Sequence, residues 1–195
     1  LHIQNPKLDV NSKVCFNSNV AASVPTRKFI KLKMKEFENH YFIGQVVNEL
    51  RSIYLGAPYE YKIEYNFRNV TDKIYQDGRL RFFCNVPKWM EFLNDSDLTF
   101  GSRLHGNIAA VLAGTPALLV TKDSRTRELA EYHHLNAIHE SKLNEKLTLQ
   151  DLVEQQDFTQ IEKYQKQNLD RYVAFLKKND IPNIFMDGED PQETA

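Results

Sequence analysis

Residues 96–135 read SDLTFGSRLHGNIAAVLAGTPALLVTKDSRTRELAEYHHL, and strand, loop, helix, strand and helix signals follow one another through them without a break. Leu98, Thr99 and Phe100 form a short apolar run that Gly101 and Ser102 end. Leu104, Ile108, Val111 and Leu112 then recur on one stripe, the spacing of an amphipathic helix. Ser102 stands where an N-cap belongs, so the pattern predicts a helix over Arg103 to Ala113, with Arg103 and His105 in its first turn. Gly114, Thr115 and Pro116 close that helix, Ala117 to Thr121 reads as a strand, and Ser124 to His134 as the next helix. First-turn N–H groups have no intrahelical acceptor and lie at the positive end of the helix dipole. An arginine there adds a fork of donors matched to carboxylate or phosphate oxygens. Ser102, Arg103, Leu104 and His105 therefore form a candidate anion-binding cluster. The plainer alternative for Arg103 is a surface ion pair with Asp97 or Glu128.

The same alternation extends outward. Lys13 to Asn19, Tyr41 to Gln45, Leu80 to Cys84 and Asn136 to His139 read as strands, and alternation at Tyr61, Ile63 and Tyr65 suggests another. Helical patterns run over Phe29 to His40, over Val46 to Leu55 with Gly56 and Pro58 as terminators, and over Val86 to Leu93 with Pro87 in the first turn. A last helix is read over Phe158 to Lys178, and Asp187 to Ala195 as an acidic, mobile tail. Strands alternating with helices of about ten residues require crossover connections, and hence a parallel sheet with helices on both faces. The expected fold class is α/β, a Rossmann-like open parallel sheet, with residues 1–195 forming a single domain. Ligands in such sheets lie outside the carboxyl ends of the strands. Arg103 stands at one such end; the Asn85 to Lys88 loop follows the preceding strand, and Lys122, Arg125, Arg127 and Glu128 follow the next. If these strands are neighbours, their basic residues gather.

Composition removes several other classes. Lys plus Arg number 25 against 26 Asp plus Glu, so no global positive field exists to hold nucleic acid or an anionic membrane surface. No segment is apolar over the length needed to span a bilayer, and LHIQNPKLDV has no targeting-peptide core. The chain starts at Leu1, which leads us to expect that the natural protein extends upstream. Cys15 and Cys84 lie in separate apolar runs with no further cysteines to build a disulfide framework or a zinc site. His133 and His134 point about 100° apart on a helix and make a poor pair for one metal. Neither a Gly-rich phosphate loop, a GxSxG elbow nor an HExxH stretch is present. Tyr41, Phe42, Phe82, Phe83 and Trp89 read as core.

The stretch from WMEFLNDSDLTFGSRLHGNIAAVLAGTPALLV through DSRTRELAEYHHL resembles the carboxyl-terminal half of the polysaccharide pyruvyl transferase family. The likeness runs from Phe82 to about Ser141 and is fainter around YFIGQVVNEL. It implies a GT-B-like enzyme of two Rossmann-like halves, of which this chain is the second, with a missing amino-terminal lobe as its partner. It implies transfer of the enolpyruvyl carbons of phosphoenolpyruvate onto a sugar or polysaccharide precursor as a ketal, with no cofactor beyond that donor and no metal. The family's Arg-Leu-His motif falls on Arg103, Leu104 and His105, making Arg103 the donor-binding and His105 the proton-transferring position. Ser102, Arg125 and Glu128 are expected to help bind substrate, and Arg27, Lys28 and Arg68 are candidate stand-ins for basic residues of the other half. The resemblance implies exopolysaccharide or envelope biosynthesis on the cytoplasmic side of the membrane. The alternatives are a nucleotide-sugar glycosyltransferase or epimerase half, with Glu128 on ribose hydroxyls and Arg103 on a pyrophosphate, and a non-catalytic anion-binding module of the same fold.

Overall fold

Six strands lie side by side, all parallel, in the order β3-β2-β1-β4-β5-β6: β1 is Val14–Asn17, β2 His40–Gly44, β3 Leu80–Phe82, β4 Leu98–Gly101, β5 Ala117–Thr121 and β6 Ala137–His139. The computed structural model describes residues 2–58, 67 and 69–183. The possible strand at 61–65, Arg68 and the tail from 187 fall outside these residues. The helices between strands are α1 (Val24–Met34), α2 (Val47–Leu55), α3 (Lys73–Gln76), α4 (Val86–Asn94), α5 (Leu104–Leu112) and α6 (Ser124–Tyr132). A 3₁₀ turn (Glu140–Lys142), α7 (Leu149–Glu154) and α8 (Gln160–Lys178) follow β6. This is the expected Rossmann-like α/β sheet, and its order reverses between β1 and β4.

Alternation along the central strands sorts the two layers. Phe16, Phe42 and Phe100 share one face, since they are partners in register. There Phe100 meets Phe29 of α1 at 6.1 Å between ring centroids and Phe16 at 6.2 Å. Cys15, Tyr41 and Thr99 occupy the opposite face, where Tyr41 meets Phe92 of α4 edge-on at 5.2 Å and Cys15 Sγ lies 3.2 Å from Ser96 Oγ. Helices thus cover both faces, and the central strands are buried throughout their length, as parallel strands require.

Local chemistry sets the helix ends. Ser23 caps α1, with Pro25 in its first turn, and Asn85 caps α4 ahead of Pro87. Gly56 ends α2 in the left-handed region at φ 65°. Three departures have identifiable causes. Helix α1 spans Val24–Met34, not the expected Phe29 to His40: Ser23 and Pro25 form a stronger start signal than the apolar pattern behind them, and His40 already opens β2. Helix α6 stops at Tyr132: His134 takes a left-handed φ of 54° and stacks on Tyr164 of α8, so neither His133 nor His134 lies within the helix. The short α7 was not read, although Thr148 and Asp151 form a reciprocal capping box at its start.

Gly101 is the tightest point of the sheet. A Cβ at this position would stand 2.0 Å from the Asn17 carbonyl oxygen, so the end of β4 can sit against the end of β1 only without a side chain. At Gly106 in α5 a Cβ would stand 2.5 Å from Gln45 Nε2, the end of a flexible side chain that can shift, so the constraint there is weaker.

Burial pushes the Cys15 thiol up to about 11, against a smaller opposing pull from the Ser96 hydroxyl, while Cys84 is exposed. Since the thiolate is the nucleophile, iodoacetamide at neutral pH should modify Cys84 and spare Cys15 until the chain is unfolded. Intact-mass spectrometry of the native and denatured chain counts the labels, and native labelling of Cys15 would contradict this packing.

Candidate functional site

The candidate site is assembled where the strand order reverses, at the carboxyl ends of β1, β2 and β4. Two backbone N–H groups just past β4 are held by Asn17 at the end of β1: Ser102 N–H donates to the Asn17 carbonyl at 3.3 Å, and Arg103 N–H to the Asn17 side-chain Oδ1 at 2.8 Å. Asn107, one turn into α5, donates from Nδ2 to the carbonyls of Arg103 at 2.8 Å and Gly101 at 3.2 Å. Asn17 and Asn107 are each 1% exposed, so the turn is clamped from both sides by buried amides.

This clamp corrects the expected cap. Arg103, not Ser102, is the N-cap of α5, and its side chain makes no capping bond. The Ser102 hydroxyl instead accepts the Asn19 N–H at 2.8 Å, stitching the β1–α1 loop to β4. The first backbone bond of α5 runs from Asn107 N–H to the Arg103 carbonyl at 3.2 Å. The N–H groups of Leu104, His105 and Gly106 therefore precede the helical ladder.

The Arg103 guanidinium runs along the sheet edge across β1 toward β2. Its Nε donates to the Ser18 carbonyl at 2.7 Å and its Nη2 to Glu49 Oε1 at 2.9 Å. Neither Asp97 nor Glu128 is its partner: Asp97 accepts the Lys13 N–H at 2.7 Å, and Glu128 is exposed on α6. Among the described residues Nη1 has no protein partner, and the side chain is 12% exposed. Glu49, in the first turn of α2, is 0% exposed. Its Oε2 accepts the N–H groups of Gln45 and, at 3.0 Å, Val46, the loop that leaves β2. Burial pushes the Glu49 carboxyl up from its ordinary value, with the Arg103 charge and the two backbone donors opposing.

His105 is exposed and makes no hydrogen bond or ion pair among the described residues, and Leu104 is half-buried. Arg125 and Glu128 are exposed on α6, beside the end of β5, which is the neighbour of β4. The Asn85 to Lys88 loop does not join them, because β2 and β1 stand between β3 and β4. Arg27 braces the β1–α1 loop through the carbonyls of Val20 and Ala22, at 3.1 and 2.7 Å, and Lys28 is exposed on α1.

Beside Ser102 lies a cavity of about 40 Å³ lined by Asn19, Thr26, Ser102, Lys122 and Glu140. Glu140 accepts the hydroxyls of Ser23 and Thr26, each at 2.7 Å. Burial works to raise its carboxyl, but those hydroxyls, with Lys122 and His139, outweigh it and hold it below the usual range. A larger hollow of about 510 Å³ runs along β6, lined by Arg127, His134, His139 and Lys142, and excludes both Arg103 and His105. No group of His, Cys, Asp and Glu fit to hold a metal occurs among the described residues, and no helix there is long and apolar enough to cross a membrane. Sequence reading missed Glu49 and Asn17. The first carried half a signal, an acid three residues after the helix start, but Val46 offers no reciprocal side-chain acceptor.

A family model described as polysaccharide pyruvyl transferase matches residues 19–124, more than half of the chain. The chain belongs to the polysaccharide pyruvyl transferase family. The match runs from the loop after β1 to the first residue of α6, so it holds Glu49 and the whole Ser102 to His105 cluster. It reaches far upstream of the likeness read from Phe82 onward and stops short of Arg125 and Glu128. Among curated proteins none matches the chain.

In this pyruvyl transferase family member, Arg103→Ala would strand the buried Glu49 carboxylate. Losing the cation raises the folded-state pKa of Glu49 further, and a raised carboxyl costs stability as pH climbs from its unfolded value through the folded one. The variant's deficit against the unaltered chain should be smallest near pH 4.5, the ordinary carboxyl value, and grow toward neutrality. At neutral pH it should reach about 3–5 kcal/mol. Urea unfolding across that range measures it, and a deficit flat with pH would show that Glu49 is not the charge Arg103 holds.

Proposed function

We propose that this chain carries the donor site of an enzyme that transfers the enolpyruvyl carbons of phosphoenolpyruvate to two hydroxyls of a sugar, forming a ketal. The observation that carries the reading is the placement of Arg103 and His105, inside the family match, at the carboxyl edge where the strand order reverses. Arg103 presents its Nη1 edge to the donor carboxylate or phosphate, assisted by the first-turn N–H groups of α5. Ser102 shapes the loop that faces them.

The chemistry asks for proton traffic near the donor. A proton is added to the methylene carbon, which becomes the methyl group. Two sugar oxygens form bonds to the central carbon, and its bond to the phosphate oxygen breaks. Of the two hydroxyl protons, one balances the new methyl group and the other leaves on hydrogen phosphate, so no redox partner is needed. His105 is exposed two residues beyond Arg103, and an imidazole there serves as the acid or base for these transfers. Lys122 and Arg125, both exposed at the end of β5, supply positive charge for the donor's second anionic group, and Glu128 receives acceptor hydroxyls. The acceptor is a sugar of a polysaccharide or its precursor, delivered by a second lobe that closes over this edge. The reaction is placed on the cytoplasmic side of the membrane, where phosphoenolpyruvate is made.

His105→Ala should leave phosphoenolpyruvate binding within about threefold and lower turnover by about 10²–10⁴-fold. Calorimetry reads the first, and phosphate release with the ketal methyl signal in proton NMR reads the second, both on the full-length protein with a panel of sugar acceptors. Unchanged turnover would remove His105 from the chemistry. Heat from a UDP-sugar with none from phosphoenolpyruvate would replace the donor altogether.

A further inference from the structure

Arginine has long, freely rotating bonds, and a donor site needs its guanidinium in one plane. In this chain the plane is set by two groups from different parts of the fold: the Ser18 carbonyl just past β1, which takes Nε at 2.7 Å, and Glu49 in the first turn of α2, which takes Nη2 at 2.9 Å. A carbonyl alone leaves rotation about the Nε–H bond direction, and the second contact removes it. Glu49 is itself immobilised, fully buried with Oε2 held by the N–H groups of Gln45 and Val46. Both carboxylate oxygens are thus committed, one to the backbone after β2 and one to the arginine at the start of α5. Nη1 takes part in neither contact.

We propose that Glu49 is a positioning residue for the transfer reaction: it fixes the Arg103 guanidinium so that the Nη1 edge is presented to the anionic donor. The proposal rests on the reading of Arg103 as a donor-binding residue. A surface carboxylate balancing charge could be displaced without effect. One that sets geometry cannot be moved by even one methylene, since the ion pair and the two backbone contacts come from a single rigid side chain.

Glu49→Asp separates these cases, because it keeps the negative charge and remains suited to a helix's first turn while retracting the carboxylate. In the full-length protein we expect the KM for phosphoenolpyruvate to rise about tenfold or more while kcat changes little. A purely structural role would lower the folded, active fraction, and so kcat, with KM unmoved; that result overturns the proposal. Hydrogen exchange of the Arg103 Nε–H, followed by nitrogen-detected NMR without any substrate, gives a second measurement. Exchange should be slow in the unaltered chain and accelerate in Glu49→Asp, and equal rates overturn the proposal whatever the substrate is. Accelerated exchange in a protein that neither binds nor turns over phosphoenolpyruvate would instead reject the pyruvyl transfer reading and leave Glu49 as the residue that orients Arg103. Accelerated exchange with an unchanged KM would reject the functional role.

Discussion

The close contact between the ends of β1 and β4 is the constraint on which the carboxyl edge depends. Gly101 admits the Asn17 carbonyl where a methyl carbon would collide at 2.0 Å, and Asn17 then serves the turn twice, through its backbone and its side chain. The start of α5 is consequently fixed by a neighbouring strand and not by its own capping side chain. That displaces Ser102 to the opposite side of the turn, where it holds the β1–α1 loop, and it launches the Arg103 side chain along the edge toward β2. A strand-order reversal becomes a site in this way: the two loops that part there are bonded to each other, and the polar groups they carry converge.

The ion pair at the far end of that launch is expensive by itself. Glu49 is fully buried and Arg103 nearly so, and two charges taken from water recover the cost only with good geometry and satisfied lone pairs. The geometry is good here, since Glu49 also answers two backbone donors that α2 cannot satisfy internally. Replacing the pair with apolar side chains of like volume would serve stability equally well. Both members of the pair lie within the family match.

Most elements and their order were legible in the sequence because the longer helices and the strands carry their own periodic signals, and because Pro87 and Gly56 mark helix ends locally, whereas α3 and α7 are too short to show a period. The Arg103-His105 cluster was legible for the same reason, as a basic pair placed directly after an apolar run. What could not be read is what depends on distant chain. Strand order put two strands between β3 and β4 and so removed the Asn85 loop from the site. The partner of Arg103 lies 54 residues away in sequence, where nothing in the pattern YFIGQVVNEL distinguishes a first-turn acid that stabilises a helix dipole from one that holds an arginine. The cap of α5 was misplaced by one residue because Asn17, remote in sequence, decides it.

Neutralisation by Glu49 also changes how a donor would be drawn in. An arginine paired within a buried network presents directed N–H groups but little net charge, so on the proposed reading it recognises the donor at contact and does little to attract it from a distance. Long-range attraction falls to cations that remain in water, and Lys122 and Arg125 at the end of β5 are both exposed, though Lys122 also reaches the Ala21 carbonyl at 3.1 Å. Salt screens such exposed charges strongly and a buried pair weakly. On that reading the two stages would separate physically: arrival would depend on ionic strength through the charges after β5, and orientation on the fixed geometry that the ends of β1, β2 and β4 impose on one guanidinium.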